Sequence, residues 1–144
     1  MAQSIKWLFV YGTLLSRSRD RVGRDMRHRL ENQCVVRRPA RIAGLLYDLG
    51  GYPGWRDKPG SNFWISGEVL LLKDPVQAFA WLDPYENFDP SRPSEGEYVR
   101  VVQQVMVGAR SGVKAWSYSY RGPLEGAKLI DCGKWLAGPP RYRT

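Results

Sequence analysis

Two runs of strand-forming residues, Glu97 to Val107 and Val113 to Arg121, are separated by Gly108-Ala109-Arg110-Ser111-Gly112, a glycine-bounded loop of hairpin length. A chain carrying such a hairpin commits part of its fold to antiparallel sheet. In the second run Trp116, Tyr118 and Tyr120 share one face, because side chains alternate along a strand. The other elements must be compatible with that sheet. Ile5 to Tyr11, rich in aromatic and branched residues and stopped by Gly12, predicts a buried strand ending in a tight turn. Cys34 to Val36 and Ala40 to Tyr47 predict two short strands or one bent strand, since Pro39 cannot donate to a central ladder. Gly50-Gly51-Tyr52-Pro53-Gly54 predicts an irregular loop, and Phe63 to Leu72 a further strand with Gly67 as a bulge.

Two helices fit among these strands. Val22, Met26 and Leu30 recur every four positions among charged residues from Arg17 to Asn32, giving one narrow buried stripe, with Gly23 weakening its regularity. Asp74-Pro75 supplies an N-cap and a first-turn proline. The helix it starts runs through Ala78, Phe79, Trp81 and Leu82 and is expected to end near Asp83, because a residue before proline disfavours helical dihedrals. Glu86 then lies just past a helix end. The remainder, with Gly133, Gly138, Pro139 and Pro140, reads as mostly irregular. Five or six strands and two helices without regular alternation predict a mixed α+β fold, a small twisted or barrel-like sheet with helices packed against it. The length of 144 residues fits one domain spanning residues 1–144.

With 43% hydrophobic residues and no apolar run near the roughly 20 residues of a membrane span, the chain is expected to be soluble, with no membrane partner. Met1 to Lys6 leads straight into a strand pattern without the marks of an export signal, so a cytoplasmic location is expected. Two cysteines and one histidine, Cys34, Cys132 and His28, cannot complete a four-ligand zinc site, and the chain is expected to work without metal or cofactor. His28 stands between Arg27 and Arg29, where positive charge opposes general-base work, and reads as a solvated residue. Both cysteines read as buried and structural, given their apolar neighbours. The net charge of +8 is concentrated between Arg17 and Arg41.

No phosphate-binding loop, dinucleotide fingerprint, nucleophile elbow or zinc-protease helix is present. What remains is an ordered combination: Phe9-Val10-Tyr11-Gly12-Thr13-Leu14-Leu15, then Leu45 to Pro53, then Leu82-Asp83-Pro84-Tyr85-Glu86, then Glu97-Tyr98-Val99-Arg100-Val101. This combination resembles the gamma-glutamylcyclotransferase-like (AIG2-like) family, with its Tyr-Gly-x-Leu turn, Leu-Asp-x-x-Glu stretch and Tyr-x-Arg strand. Asp131-Cys132-Gly133-Lys134-Trp135 resembles the family's Gly-x-Trp ending, so the likeness spans nearly the whole chain. Two departures stand out: Asn87 follows the glutamate where glycine is common, and the loop from Phe88 to Gly96 is longer than in compact members.

The resemblance implies an enzyme that lets the α-amine of a gamma-glutamyl amide attack its own γ-carbonyl, releasing 5-oxoproline and a free amine. It makes Glu86 the acid-base residue, with Trp81, Tyr85 and Phe88 as the apolar setting that raises its pKa. The backbone N–H groups of Gly12, Thr13 and Leu14 would hold the substrate carboxylate or oxyanion. Tyr11, Tyr52, Tyr98 and Tyr118 complete the expected substrate-binding set. Two alternatives stay open: a non-catalytic binder of a gamma-glutamyl-like ligand, and a module that binds nucleic acid or an acidic partner through Arg17 to Arg41 and the tail Arg141-Tyr142-Arg143. No nucleic-acid-binding motif accompanies that charge, so nucleic acid is the less expected partner, and the oligomeric state is left open.

Overall fold

A computed structural model of the chain describes residues 5–15, 23–58, 60–109 and 111–135. Among these residues seven strands and two helices follow in the order β1 (Trp7–Val10), α1 (Arg24–Gln33), β2 (Cys34–Asp48), β3 (Pro53–Asp57), β4 (Trp64–Leu72), α2 (Pro75–Tyr85), β5 (Tyr98–Val107), β6 (Ser111–Tyr120) and β7 (Lys128–Leu129), with one 3₁₀ turn at Pro93–Glu95 before β5. The fold is α+β. Pairing runs β1–β4–β2–β5–β6 and back from β6 to β1, which closes five strands into a small mixed barrel. Among the described strand pairings, only β1–β6 and β3–β6 are parallel.

Alternation along β1 divides the core in two. Leu8 and Val10 face α1 and α2 and pack with Leu30, Leu70, Phe79 and Leu82. Phe9 and Tyr11 turn into the barrel with Ile42, Leu46, Trp55, Ile65 and Val105. The expected Ile5–Tyr11 strand is therefore real in its middle, and its far end delivers Tyr11 and the turn after it to the barrel mouth.

The hairpin has the expected partners, with Tyr98 opposite Tyr120, Arg100 opposite Tyr118 and Val102 opposite Trp116. The two possible pieces around Pro39 form one strand. Pro39 pairs only with Glu68 of β4, so its missing N–H interrupts no two-sided ladder. The bulge falls at Val35, between Cys34 and Val36, and not at Gly67. Gly67 is instead a close-approach position, where a Cβ would run into the Val10 carbonyl and the Phe9 ring. β3 lies where an irregular loop was expected: Gly54 and Trp55 pair with Tyr47 and Leu46, and Trp55 also meets Ser119 of β6.

Asp74 caps α2 as expected, its carboxylate accepting from the Gln77 N–H at 3.1 Å. The helix runs two residues past the expected end, through Pro84 to Tyr85. It then closes in a Schellman arrangement, in which Phe88 N–H reaches the Asp83 carbonyl (2.9 Å) and Asn87 N–H reaches that of Pro84 (3.0 Å). Asn87 takes the left-handed position, φ 55°. The start of α1 at Arg24 leaves Arg17, Arg19, Arg21 and Val22 of the expected helix outside the described residues, as is the Arg141–Arg143 tail.

Candidate active site

The turn after β1 is built tightly. Leu15 N–H closes onto the Gly12 carbonyl at 3.0 Å, and Arg27 of α1 donates to the Thr13 carbonyl. The Thr13 hydroxyl lies 3.3 Å from that of Tyr85 at the end of α2. A Cβ on Gly12 would collide with the Pro53 ring, so glycine is what lets this turn sit against the start of β3. Among the described residues, no hydrogen bond is made by the backbone N–H groups of Gly12, Thr13 and Leu14.

This turn, the loop from Gly50 to Pro53, the end of α2 and the start of β5 surround a cavity of about 380 Å³. That size lies in the range of small-ligand sites. Tyr11, Gly12, Thr13, Leu14, Tyr52, Glu86, Tyr98 and Tyr118 all line it, although they come from five separate stretches of chain. Pro53 and Glu97, given no role from the sequence, line it too. A larger depression of about 1000 Å³ lies on another side of α2, lined by Phe79, Phe88, Arg100 and Trp116, and it does not include Glu86.

Glu86 follows the last helical residue with φ −86° and ψ 8°, a bridge-region conformation, and the left-handed Asn87 turns the chain away behind it. The residue keeps part of its surface exposed through the cavity. Burial of its carboxyl group against the cavity walls nevertheless pushes its pKa from 4.5 up to about 8, with the negative charges of Glu97 and then Asp83 adding to the effect. Of the three aromatic residues expected around it, only Tyr85 lines the cavity. Trp81 lies under the Arg29 guanidinium, and Phe88, past the reversal at Asn87, lies near Arg100 in the larger depression. The tyrosines supply the apolar wall instead.

Those tyrosines are held by their hydroxyls. Tyr11 donates to the Tyr118 carbonyl (2.8 Å) and accepts from Trp55 N–H (3.1 Å), and Tyr98 donates to the Pro53 carbonyl (2.7 Å). Tyr118 donates to Asp83 at 2.6 Å. Burial raises the pKa of all three, so each stays a neutral phenol. Their hydroxyls act as struts and present rings to the cavity. Tyr52 differs: at 38% exposure it sits at the rim and donates to Glu97 Oε2 at 2.7 Å, which pushes its pKa up to about 12.

Asp83 and Arg100 carry no expected role, yet they form a bidentate pair behind Tyr118. Arg100 also stacks over Phe79 and Trp116, at 4.0 and 4.4 Å from the ring centroids. The available signal was a lone carboxylate within the apolar run Ala78-Phe79-Ala80-Trp81-Leu82-Asp83, which has to find a partner if buried.

The remaining candidates lie elsewhere. His28 is exposed, Cys34 is half-buried and Cys132 is exposed, which corrects the expectation of two buried thiols. Among the described residues no group of three or more His, Cys, Asp or Glu side chains is gathered as a metal site. The described arginines of the basic segment are largely engaged: Arg37 with Glu68, Arg29 with Asp25 and Trp81, Arg41 with Trp64. No helix among the described residues is long and apolar enough to cross a membrane.

Comparison with known proteins agrees with this fold. The family model described as gamma-glutamyl cyclotransferase, AIG2-like, matches residues 8–137. A gamma-glutamylcyclotransferase family protein, ytfP, of Citrobacter rodentium is 33% identical over 129 residues, covering 90% of this chain and 94% of that protein. The crystal structure of an AIG2-like protein from Mus musculus superposes with a TM-score of 0.69 at 21% identity, over 95% of this chain and 92% of that one. YkqA of Bacillus subtilis gives 0.65 at 23% identity over 92% of this chain, which spans 40% of that longer protein. Fold, motif order and family model agree: this chain belongs to the gamma-glutamyl cyclotransferase, AIG2-like family.

Proposed function

We propose that the protein is a cytoplasmic gamma-glutamylcyclotransferase that cleaves a small gamma-glutamyl amide by intramolecular aminolysis, with Glu86 as the acid-base residue. The observation that carries this reading is one carboxyl, its pKa pushed to about 8, sharing a small cavity with the backbone N–H groups of the Gly12 turn. An α-amine has a pKa of roughly 8, so proton transfer between it and such a glutamate is close to thermoneutral.

In this scheme the substrate α-carboxylate docks against the Gly12–Leu14 N–H groups, a position also favoured by the charge of Arg27 behind the turn. Glu86 takes a proton from the α-ammonium, and the freed amine attacks the γ-carbonyl. A new C–N bond closes the five-membered ring, and Glu86 gives its proton to the leaving nitrogen as the bond to that nitrogen breaks. It then takes the second proton shed by the ring nitrogen and passes it to the departing amine, so both protons lost by the α-nitrogen end on the leaving group. The products are 5-oxoproline and a free amine. No protein nucleophile is required. The protein's task is to fold the substrate into the closing geometry and to shuttle protons from the α-nitrogen to the leaving nitrogen, and proximity of this kind is itself a large rate factor. The rings of Tyr11, Tyr98 and Tyr118 exclude water from the reacting atoms while their hydroxyls stay tied to the scaffold.

The test is release of 5-oxoproline from a panel of gamma-glutamyl amides. Turnover of at least one supports the reading; ligand-induced stabilisation with no product from any would favour a binder over an enzyme.

A further inference from the structure

The cavity is electrically one-sided. The chain carries a net charge of +8, yet none of the fifteen cavity-lining residues among those described is lysine or arginine, and two of them, Glu86 and Glu97, are carboxylic acids. Glu86 has work in the proposed reaction. Glu97 has none.

Glu97 is nonetheless held firmly. Its N–H donates to the Asn87 carbonyl at 3.2 Å, which places it beside the chain that carries Glu86, and its own carbonyl accepts from Arg121 N–H at 2.8 Å. Its Oε2 takes the Tyr52 hydroxyl. Tyr52 in turn is presented by a turn in which Asp48 Oδ1 accepts from Gly50 N–H (2.9 Å) and Gly51 N–H (3.0 Å). The second carboxylate oxygen, Oε1, accepts no hydrogen bond from a described residue, and no cation among them lies within ion-pair distance of Glu97. A fixed, uncompensated carboxylate therefore stands between the catalytic glutamate and the exposed rim at Tyr52.

The gamma-glutamyl half of the substrate must lie inward, with its carbonyl within reach of Glu86 and the Gly12 turn. The leaving amine then extends toward the rim, past Glu97. We infer that Glu97 is a specificity residue, and that the preferred substrates are gamma-glutamyl amides whose leaving amine carries a second ammonium group and no carboxylate. A second ammonium meets Glu97 Oε1 in a charge-assisted hydrogen bond. A leaving group ending in a carboxylate meets like charge from Glu97, and from Glu86 once that residue is ionised.

This inference rests on the cyclotransferase reading, and its test separates the two. Three substrates are compared: the gamma-glutamyl amides of a linear diamine, of the alkylamine of equal length, and of a dipeptide with a free carboxylate. The readout is kcat/KM for 5-oxoproline release by the wild type and by Glu97→Gln, with calorimetric binding of the same compounds in parallel. The wild type is expected to prefer the diamine amide over the alkylamine amide by roughly tenfold, with the dipeptide last. Glu97→Gln should bring the diamine-to-alkylamine ratio within about twofold, and raising the salt concentration should shrink it in the wild type. A wild-type ratio near one, a preference for the dipeptide, or a ratio unchanged in Glu97→Gln overturns the specificity assignment while leaving the reaction intact. No product from any substrate overturns the reaction itself, and the binding series then decides whether Glu97 selects the second ammonium.

Discussion

The Asp83 carboxylate and the Arg100 guanidinium face each other in two parallel hydrogen bonds, Nε to Oδ1 at 2.9 Å and Nη2 to Oδ2 at 3.1 Å, with both side chains largely buried. The pair ties the last turn of α2 to β5, and through Tyr118 it ties both to β6. It gives a physical reason for two of the sequence motifs. The Asp of Leu-Asp-x-x-Glu and the Arg of Tyr-x-Arg hold the helix end on which Glu86 sits.

Breaking one side of this pair leaves a buried charge unpaired. Arg100→Met is expected to destabilise the fold by about 3–5 kcal/mol, and the double change Asp83→Leu with Arg100→Met to recover a large part of that loss. Urea unfolding of Arg100→Met, Asp83→Leu and the double variant measures it. Additive losses would mean that the two side chains do not act as a pair.

Asn87 tests the helix end more finely. Its φ of 55° costs a residue with a Cβ roughly 1–2 kcal/mol, less for Asn than for most. Asn87→Gly should be neutral or slightly stabilising. Asn87→Val should lower stability by about 1–2 kcal/mol and reduce kcat/KM, because Glu86 depends on this reversal for its direction. Thermal unfolding and steady-state kinetics report the two effects separately, and a fully active, fully stable Val variant would contradict the role given to the reversal.

Much of this architecture was legible in the residues, and what was not has identifiable causes. The hairpin, the β1 strand and the Asp74 cap follow from local chemistry, and the structure contains them. Pro53 and Gly54 are turn-forming residues and predict loop; the extended state of β3 is imposed by pairing with β2 and β6, which no local signal reports. The run of α2 through Pro84 escaped for the opposite reason. Proline disfavours helix in the residue before it, but in a last turn that penalty yields to the Schellman hydrogen bonds and to burial of Asp83. At the site, motif order points to the turn, Glu86, Tyr11, Tyr52 and Tyr98, whereas the struts formed by tyrosine hydroxyls, the Asp83–Arg100 pair and the rim position of Glu97 require three-dimensional contacts between distant segments.

Gly12 should not tolerate even one added methyl group. Gly12→Ala drives a Cβ into the Pro53 ring, so the turn and the Gly50–Pro53 loop must separate. A stability loss of about 1–3 kcal/mol is expected, together with a rise in KM as the N–H groups of the turn shift. A Gly12→Ala protein with unchanged stability and KM would show that the close approach is relaxed in solution.

Glu86 should also reveal itself in stability against pH. Its folded-state pKa, about 8, lies above the 4.5 of the unfolded chain, so the fold favours the protonated acid. The resulting stabilisation, measured against the ionised form, is complete below pH 4.5 and is lost as pH rises toward 8. At about 1.4 kcal/mol per pKa unit, this amounts to a few kcal/mol. Glu86→Gln removes that dependence, so the variant should gain on the wild type between pH 4.5 and 8 and keep a constant lead above. Parallel stability curves for the two proteins across that window would contradict the buried-carboxyl account.

The most direct measurement is the rate of 5-oxoproline release by wild type and Glu86→Gln on the best gamma-glutamyl amide, taken across pH. Glutamine keeps the shape and hydrogen-bonding reach of the side chain but cannot carry the proton. The account predicts a kcat at least roughly 100-fold lower in a folded Glu86→Gln protein, with substrate affinity changed little. It also predicts wild-type activity that falls away on the acid side with an apparent pKa near 8, well above an ordinary glutamate. Undiminished turnover by the folded variant, or a wild-type rate that is flat from pH 6 to 9, would contradict it.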